Sequence, residues 1–208
     1  MLTPARPELL SLLNAVKADP SDLTSWLVLC DWLEEQPDES DRLRGEYSRL
    51  CFGRLKHKVY ASDWERGERR RWIAIHHRHQ WLGPMLRLQT VRLRDGLIEV
   101  ATTGENLLQI VLPEVTGEQW VWVDSLRVLL ESDQDCWDLL QSGLLNGLGR
   151  IALDFQSSKH LTFDLIDALM ECAALQQARQ VFVRPIGSDR RLRRLKKHFG
   201  KKFQMFYL

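Results

Sequence analysis

Three carboxylates stand within five residues of one another: Asp31, Glu34 and Glu35. On a helix Asp31 and Glu35 are four apart and share a face. Paired carboxylates in that arrangement could exchange protons with a substrate or hold a hard cation. The competing role is structural, as ion pairs to Arg42, Arg44 or Arg49 of a following helix that clamp a helix–helix corner. The structural role is preferred, because no histidine or glycine-rich partner accompanies the three acids.

His76, His77 and His79 crowd around Arg78. Metal-binding histidines on a helix usually stand at i and i+4 with a carboxylate nearby. His76 and His79 are at i and i+3, and Arg69, Arg70 and Arg71 would repel a cation. The cluster reads as a solvated or partly packed helix end. Cys30, Cys51, Cys136 and Cys172 form no CxxC pair, so a zinc ribbon is not expected. They read as reduced thiols that pack as small hydrophobes. Gly143, Gly147 and Gly149 close a helical pattern and precede a strand, the wrong order for a phosphate loop, and Gly147 or Gly149 suits a helix C-cap. With no Gly-x-Ser-x-Gly and no HExxH, the expectation is a non-enzymatic chain with no catalytic residue, no metal and no cofactor.

Cationic chemistry is more abundant. Arg190, Arg191, Arg193, Arg194, Lys196, Lys197, Lys201 and Lys202 crowd one segment, where Leu192, Leu195 and Phe199 repeat at helical spacing. That pattern predicts a helix with one docked apolar stripe and a cationic back. A second block holds Arg54, Lys56, Lys58, Arg66, Arg69, Arg70 and Arg71. Such blocks suit nucleic acid phosphates, an acidic protein partner, or acids of the same chain.

The elements that must position these groups follow from composition and periodicity. In 208 residues, 44% are hydrophobic and 27% charged, which excludes a disordered chain. The net charge of +1 conceals blocks: residues 1–48 sum to −6, 49–79 to +6, 80–178 to −8 and 179–208 to +9. No apolar run is long enough to span a membrane. The opening MLTPARPELL lacks a secretory pattern, so a cytoplasmic location is expected. The eight tryptophans are expected to pack between helices.

Apolar residues at helical spacing predict helices over about 7–18, 22–36, 39–57 and 62–80, the last opened by a capping box at Ser62. Asp95-Gly96 between two alternating runs predicts a β-hairpin over 89–103. A helix or turn follows at 105–112, broken by Pro113. Strands are expected near Arg127–Leu130, Ile151–Phe155, Val181–Arg184 and Phe203–Tyr207, with helices over 133–147, 162–175 and 189–199 between them. Their spacing falls near that of leucine-rich repeats. The expected fold is α+β, a helical head over 1–85 followed by a hairpin and a short leucine-rich-repeat-like strand–helix array over 86–208.

The stretch Asp19–Leu50 closely resembles the bacterial repeat-companion domain, a short helical module that accompanies leucine-rich-like repeats. Asp19-Pro20 and Asp22 match its opening, and Asp31-Trp32-Leu33-Glu34-Glu35 its core. Arg44, Glu46 and Arg49 match its third piece, with Gly45 and Tyr47 replacing Ala and Phe. Trp26 and Pro37 replace a usual Arg and Gly. His76–Met85, Arg94–Val100 and Leu192–Gly200 are similar to its later segments. The resemblance implies an intracellular bacterial protein, and no established activity comes with it. The expected function is that of a protein-interaction or adaptor subunit, its partner another protein of the same bacterial assembly. The alternative is a nucleic-acid-contacting accessory subunit that uses the two basic blocks.

Overall fold

The computed structural model describes residues 5–52, 63–156, 162–184 and 190–204. These form two compact units, a helical one of Ala5–Gly83 with Leu93–Leu97, and a repeat unit of Pro84–Arg92 with the chain from Ile98 onward. Each is described by itself.

The helical unit contains α1 (Pro7–Ala18), α2 (Leu23–Glu34), α3 (Glu39–Cys51) and α4 (Asp63–Leu82). Local chemistry sets their starts. Pro7 opens α1, where its missing N–H costs nothing. Asp22 caps α2 by accepting from the Thr24 and Ser25 amides, and Asp38 caps α3 through the Ser40 amide. Leu9, Leu13, Val16, Trp26, Leu29 and Leu33 are fully buried. A second cluster gathers Tyr47, Leu50, Ile73 and Trp81, with Leu93 packed against it. The third helix is described only to Cys51. Its expected continuation to 57, the cap at Ser62, and Arg54, Lys56 and Lys58 lie outside the described residues.

The sheet has six strands in the order β1-β2-β3-β4-β5-β6, with β1 at Thr90–Arg94, β2 at Leu97–Thr103, β3 at Val123–Leu130, β4 at Arg150–Phe155, β5 at Gln180–Arg184 and β6 at Phe203–Gln204. Asp95 and Gly96 take positive φ of 48° and 84°, making the expected hairpin turn. From β2 onward every pairing is parallel and joins consecutive strands. The fold is thus α+β, with a strand–helix array. Register pairs Glu99 with Ser125, Ser125 with Arg150, Arg150 with Gln180, and Val181 with Phe203. The steps are therefore 26, 25, 30 and 22 residues. Sequential order means that these strands have no reversal point, the place where doubly wound sheets hold their ligands.

Several expected bounds move. The array begins one strand earlier than the periodicity indicates, because β2 closes the hairpin on one side and pairs parallel with β3 on the other. β3 starts at Val123 rather than near Arg127. Pro113 does not break the segment after β2. Helical backbone runs through α5 (Gly104–Asn106), a π turn (Leu107–Val111) and α6 (Leu112–Glu114), with Pro113 in the first turn of α6, where no N–H is required. A short α7 (Gly117–Trp120) follows. The helix expected over 133–147 ends early, as α8 (Asp133–Gln141), with Ser142 rather than Gly147 or Gly149 at its C-cap. The helix expected over 162–175 divides at Cys172, whose extended ψ of 111° separates α9 (Phe163–Glu171) from α10 (Ala173–Gln177). Of the last expected strand, residues 205–207 lie outside the described residues.

Candidate functional site

The strands of the repeat unit are two-faced. Leu126, Val128 and Leu130 pair in register with Ile151, Leu153 and Phe155, and Val181 and Val183 extend the first two rows. All are buried, as are Leu139, Leu165, Leu169, Leu175, Leu195 and Phe199 of the crossover helices. The opposite face carries three half-buried or exposed rows: Glu99–Ser125–Arg150–Gln180, Ala101–Arg127–Ala152–Phe182 and Thr103–Leu129–Asp154–Arg184. Side chains that alternate across a strand produce this division, apolar against the helices and polar on the open side.

A charge network staples the strand starts. Glu99 pairs with Ser125 and Ile98 with Val123, so Asp124 is the extra residue of a β-bulge. Asp124 also falls on the parity of the buried Leu126, Val128 and Leu130; its side chain is only 2% exposed and its Oδ1 accepts from Arg179 Nη2 at 2.7 Å. Arg150 Nε lies 3.3 Å from Asp124 Oδ2, and Arg150 Nη2 donates to Glu99 at 2.8 Å. Two guanidinium groups therefore neutralise one buried carboxylate, and Glu99 balances the second. Gly149 passes beneath the pair. A Cβ there would overlap the Asp124 carboxylate and the Arg179 guanidinium.

Further along the open face lies a cleft of about 370 Å³, lined in part by Ala101, Arg127, Leu129, Asp154, Phe155 and Arg184. Arg127 Nε donates to Asp154 Oδ2 at 2.6 Å, and Arg184 Nε stands 3.5 Å from Asp154 Oδ1. None of these charged residues was singled out from sequence. One signal was present, since Asp124 falls on the apolar parity 124, 126, 128 and 130 of its strand.

The sequence-selected residues sit elsewhere. Arg49 bridges Asp31 at 2.7 Å and Glu34 at 2.9 Å, so two of the three acids clamp α2 to α3. Glu35 is exposed and shares no partner with Asp31. Trp32 packs under the Arg6 guanidinium, 5.0 Å from the ring centre. Arg44 is not part of the acid clamp. It is buried over Trp81 at 5.1 Å, and desolvation pulls its pKa down to about 9. Glu46 takes Arg69 in a two-pronged pair at 2.7 and 2.8 Å. Arg66 pairs with Asp63 at 2.7 Å, while Arg70 and Arg71 are exposed on α4. Two of the three histidines pack on indoles, His76 stacked on Trp72 at 4.4 Å and His77 tilted against Trp81 at 5.9 Å, and His79 is exposed.

The terminal basic helix, α11 (Arg190–Phe199), buries Leu195 and Phe199. Arg194 pairs with Asp167 of α9 at 2.8 Å. Lys202 donates to the Leu175 and Gln176 carbonyls at the end of α10, a favourable place for a cation. Arg193, Lys196, Lys197 and Lys201 are exposed. The side chains of Arg190, Arg191 and Leu192 lie outside the described residues. The two basic blocks belong to different units.

Trp26, Trp81, Trp120 and Trp122 are buried, whereas Trp64 and Trp72 are exposed, against the expectation of packing throughout. Their positions on α4 explain this, since the buried side of that helix is taken by Ile73 and Trp81. The thiols are free, and burial pushes those of Cys30 and Cys136 up to about 12. Their folded-state pKa thus lies above the unfolded value of 9.0. The resulting stability is fully present below pH 9 and is lost as the pH rises towards 12, at about 1.4 kcal/mol per pH unit for each thiol. Urea unfolding across that range is expected to show the decline, lessened in a Cys30→Ala, Cys136→Ala variant. An undiminished decline in that variant would contradict the assignment.

Among the described residues, no group of three or more His, Cys, Asp or Glu is placed to hold a metal ion, and no helix is long and apolar enough to cross a membrane. No family model, curated protein or solved structure matches the chain.

Proposed function

We propose that this protein is a non-enzymatic interaction subunit of a bacterial multi-protein assembly, and that it docks a partner protein on the open face of its parallel sheet. The observation that carries the reading is the one-sided burial of the strands. Three rows of mixed polar and apolar side chains, in register across β2 to β5, make a broad, shallow surface set by the backbone. Rigid strands hold such a surface ready, which lowers the ordering cost of binding. The resemblance of Asp19–Leu50 to the repeat-companion domain supports the same reading.

Ala152 is the test position. It lies mid-row between Arg127 and Phe182 and off the apolar rows. Ala152→Arg is expected to leave monomer stability within about 0.5 kcal/mol. It is expected to release the partner that co-purifies with the tagged wild-type chain, read by native mass spectrometry. A complex that survives Ala152→Arg at unchanged stoichiometry sinks the reading.

One observation favours the nucleic-acid alternative. Trp64 is 73% exposed on α4, which also exposes Arg70 and Arg71, an arrangement that suits base stacking beside phosphate contacts. That reading requires saturable single-strand binding that weakens steeply with salt. Absence of binding at low salt removes it.

A further inference from the structure

We infer that the cleft formed by Arg127, Asp154 and Arg184 is a carboxylate-binding subsite, which receives an acidic side chain from an extended segment of a partner protein. The inference rests on the reading of the open sheet face as a protein-docking surface and names the chemistry that face selects.

The first support is the arrangement of donors. Asp154 engages both arginines through their Nε edges, with Arg127 hydrogen-bonded at 2.6 Å and Arg184 paired at 3.5 Å. Among the described residues, the terminal Nη nitrogens of both guanidinium groups form no hydrogen bond. Asp154 therefore acts as a hinge pin. It fixes two planar forks in the wall of the cleft and leaves their strongest donating edges unused. The second support is that Asp154 holds Arg184 by charge alone: at 3.5 Å its buried Nε makes no hydrogen bond, so the pair leaves this guanidinium incompletely satisfied.

Charge balance selects the ligand. Elsewhere on this face Arg150 is already matched by Glu99 and Asp124. The trio of two arginines and one aspartate is left with a single positive charge. A monoanion neutralises it. A phosphate dianion would overshoot and face the Asp154 carboxylate at close range. The cleft also fits a side chain rather than a free anion. Leu129 and Ala101 line it with apolar surface that a methylene stem can cover, and Gln89 and Gln156 also line it. Arg127 is 49% exposed and Arg184 29%, so the site opens to an approaching chain.

The probe is a fluorescent hexaglutamate peptide titrated into the full chain. Saturable binding is expected. Arg127→Gln and Arg184→Gln should each weaken it about tenfold or more, the scale of a lost charge-assisted hydrogen-bond pair. Arg193→Gln, on the exposed side of α11, should leave it unchanged. Acetate should compete better than inorganic phosphate at equal ionic strength. Arg127 is half exposed, so its variant remains informative if Arg184→Gln fails to fold. No binding by the wild type overturns the inference, as do equal affinities for wild type and Arg127→Gln, or stronger competition by phosphate. If hexaglutamate fails while Ala152→Arg still releases the partner, the subsite is wrong and the docking face stands.

Discussion

Asp124→Ala is expected to cost about 1–3 kcal/mol and to lower the melting temperature on the order of 5 °C. The reason is the state it leaves behind. Arg179 and Arg150 both turn towards a carboxylate that is 2% exposed, while they themselves keep 30% and 29% of their side chains exposed. Removing the acid leaves the half-buried Arg179 without its carboxylate and Arg150 with Glu99 alone, which costs more than the pairs contribute in the intact fold. Thermal unfolding is the measurement. Arg179→Ala should cost less, because Asp124 keeps Arg150. The double variant should cost clearly less than the sum of the single changes, since once Asp124 is gone Arg179 is itself a liability. Gly149→Ala should act in the same direction, because its Cβ would overlap the two charged groups. Additive costs in the double variant would show that the network is not a unit.

Gly96→Val is the second large effect, about 2–6 kcal/mol. Two penalties coincide. Gly96 holds φ at +84°, a region that costs a β-branched residue about 1–3 kcal/mol. A Cβ there would also stand 2.9 Å from the Cη2 and Cζ3 atoms of Trp26, a fully buried indole. Overpacking of this kind adds about 1–3 kcal/mol. Trp26 cannot yield easily, because its Nε1 donates to the Pro20 carbonyl at 3.1 Å and its ring contacts Phe52 at 4.4 Å. A Trp26→Phe background separates the two penalties. It should relieve the overlap and leave the backbone strain, so that Gly96→Val costs less there than in the wild type. An equal cost in both backgrounds would assign the whole effect to the turn.

Trp26 also shows how a residue becomes intelligible only in the tertiary structure. Here an indole fills the space beneath the hairpin turn, where a Cβ on Gly96 would also stand 3.1 Å from Ser48 Oγ. The acid clamp was legible in the same stretch, because Asp31, Glu34 and Arg49 are held close by two consecutive helices. Its partner among three candidate arginines was not. Arg44 lies one turn and a half before Arg49 on α3, on a face that turns inward against Trp81.

The basic blocks show the opposite limit. Charge counting marked them as surfaces for an outside partner or for acids of the chain. Within one helix Arg194 is paired with Asp167, whereas Arg193, Lys196 and Lys197 are exposed. Composition treats these cations alike. Only their angular position around the helix distinguishes them.

Local elements were determined by the sequence itself. Periods of 3.6 and 2, caps at Asp22 and Asp38, Pro7, and Asp95-Gly96 each act over a few residues, so their outcome is written in the residues next to them. The candidate site was decided by the tertiary structure. Arg127, Asp154 and Arg184 are 27 and 30 residues apart in the chain and meet only because three parallel strands adopt one register. The Asp124 bulge is of the same kind. The extra residue in β3 is a buried charge, and its cost is offset by Arg150 and Arg179, supplied from later in the chain. Register depends on how whole strands bury their apolar rows against helices, a sum over distant contacts that no local pattern contains.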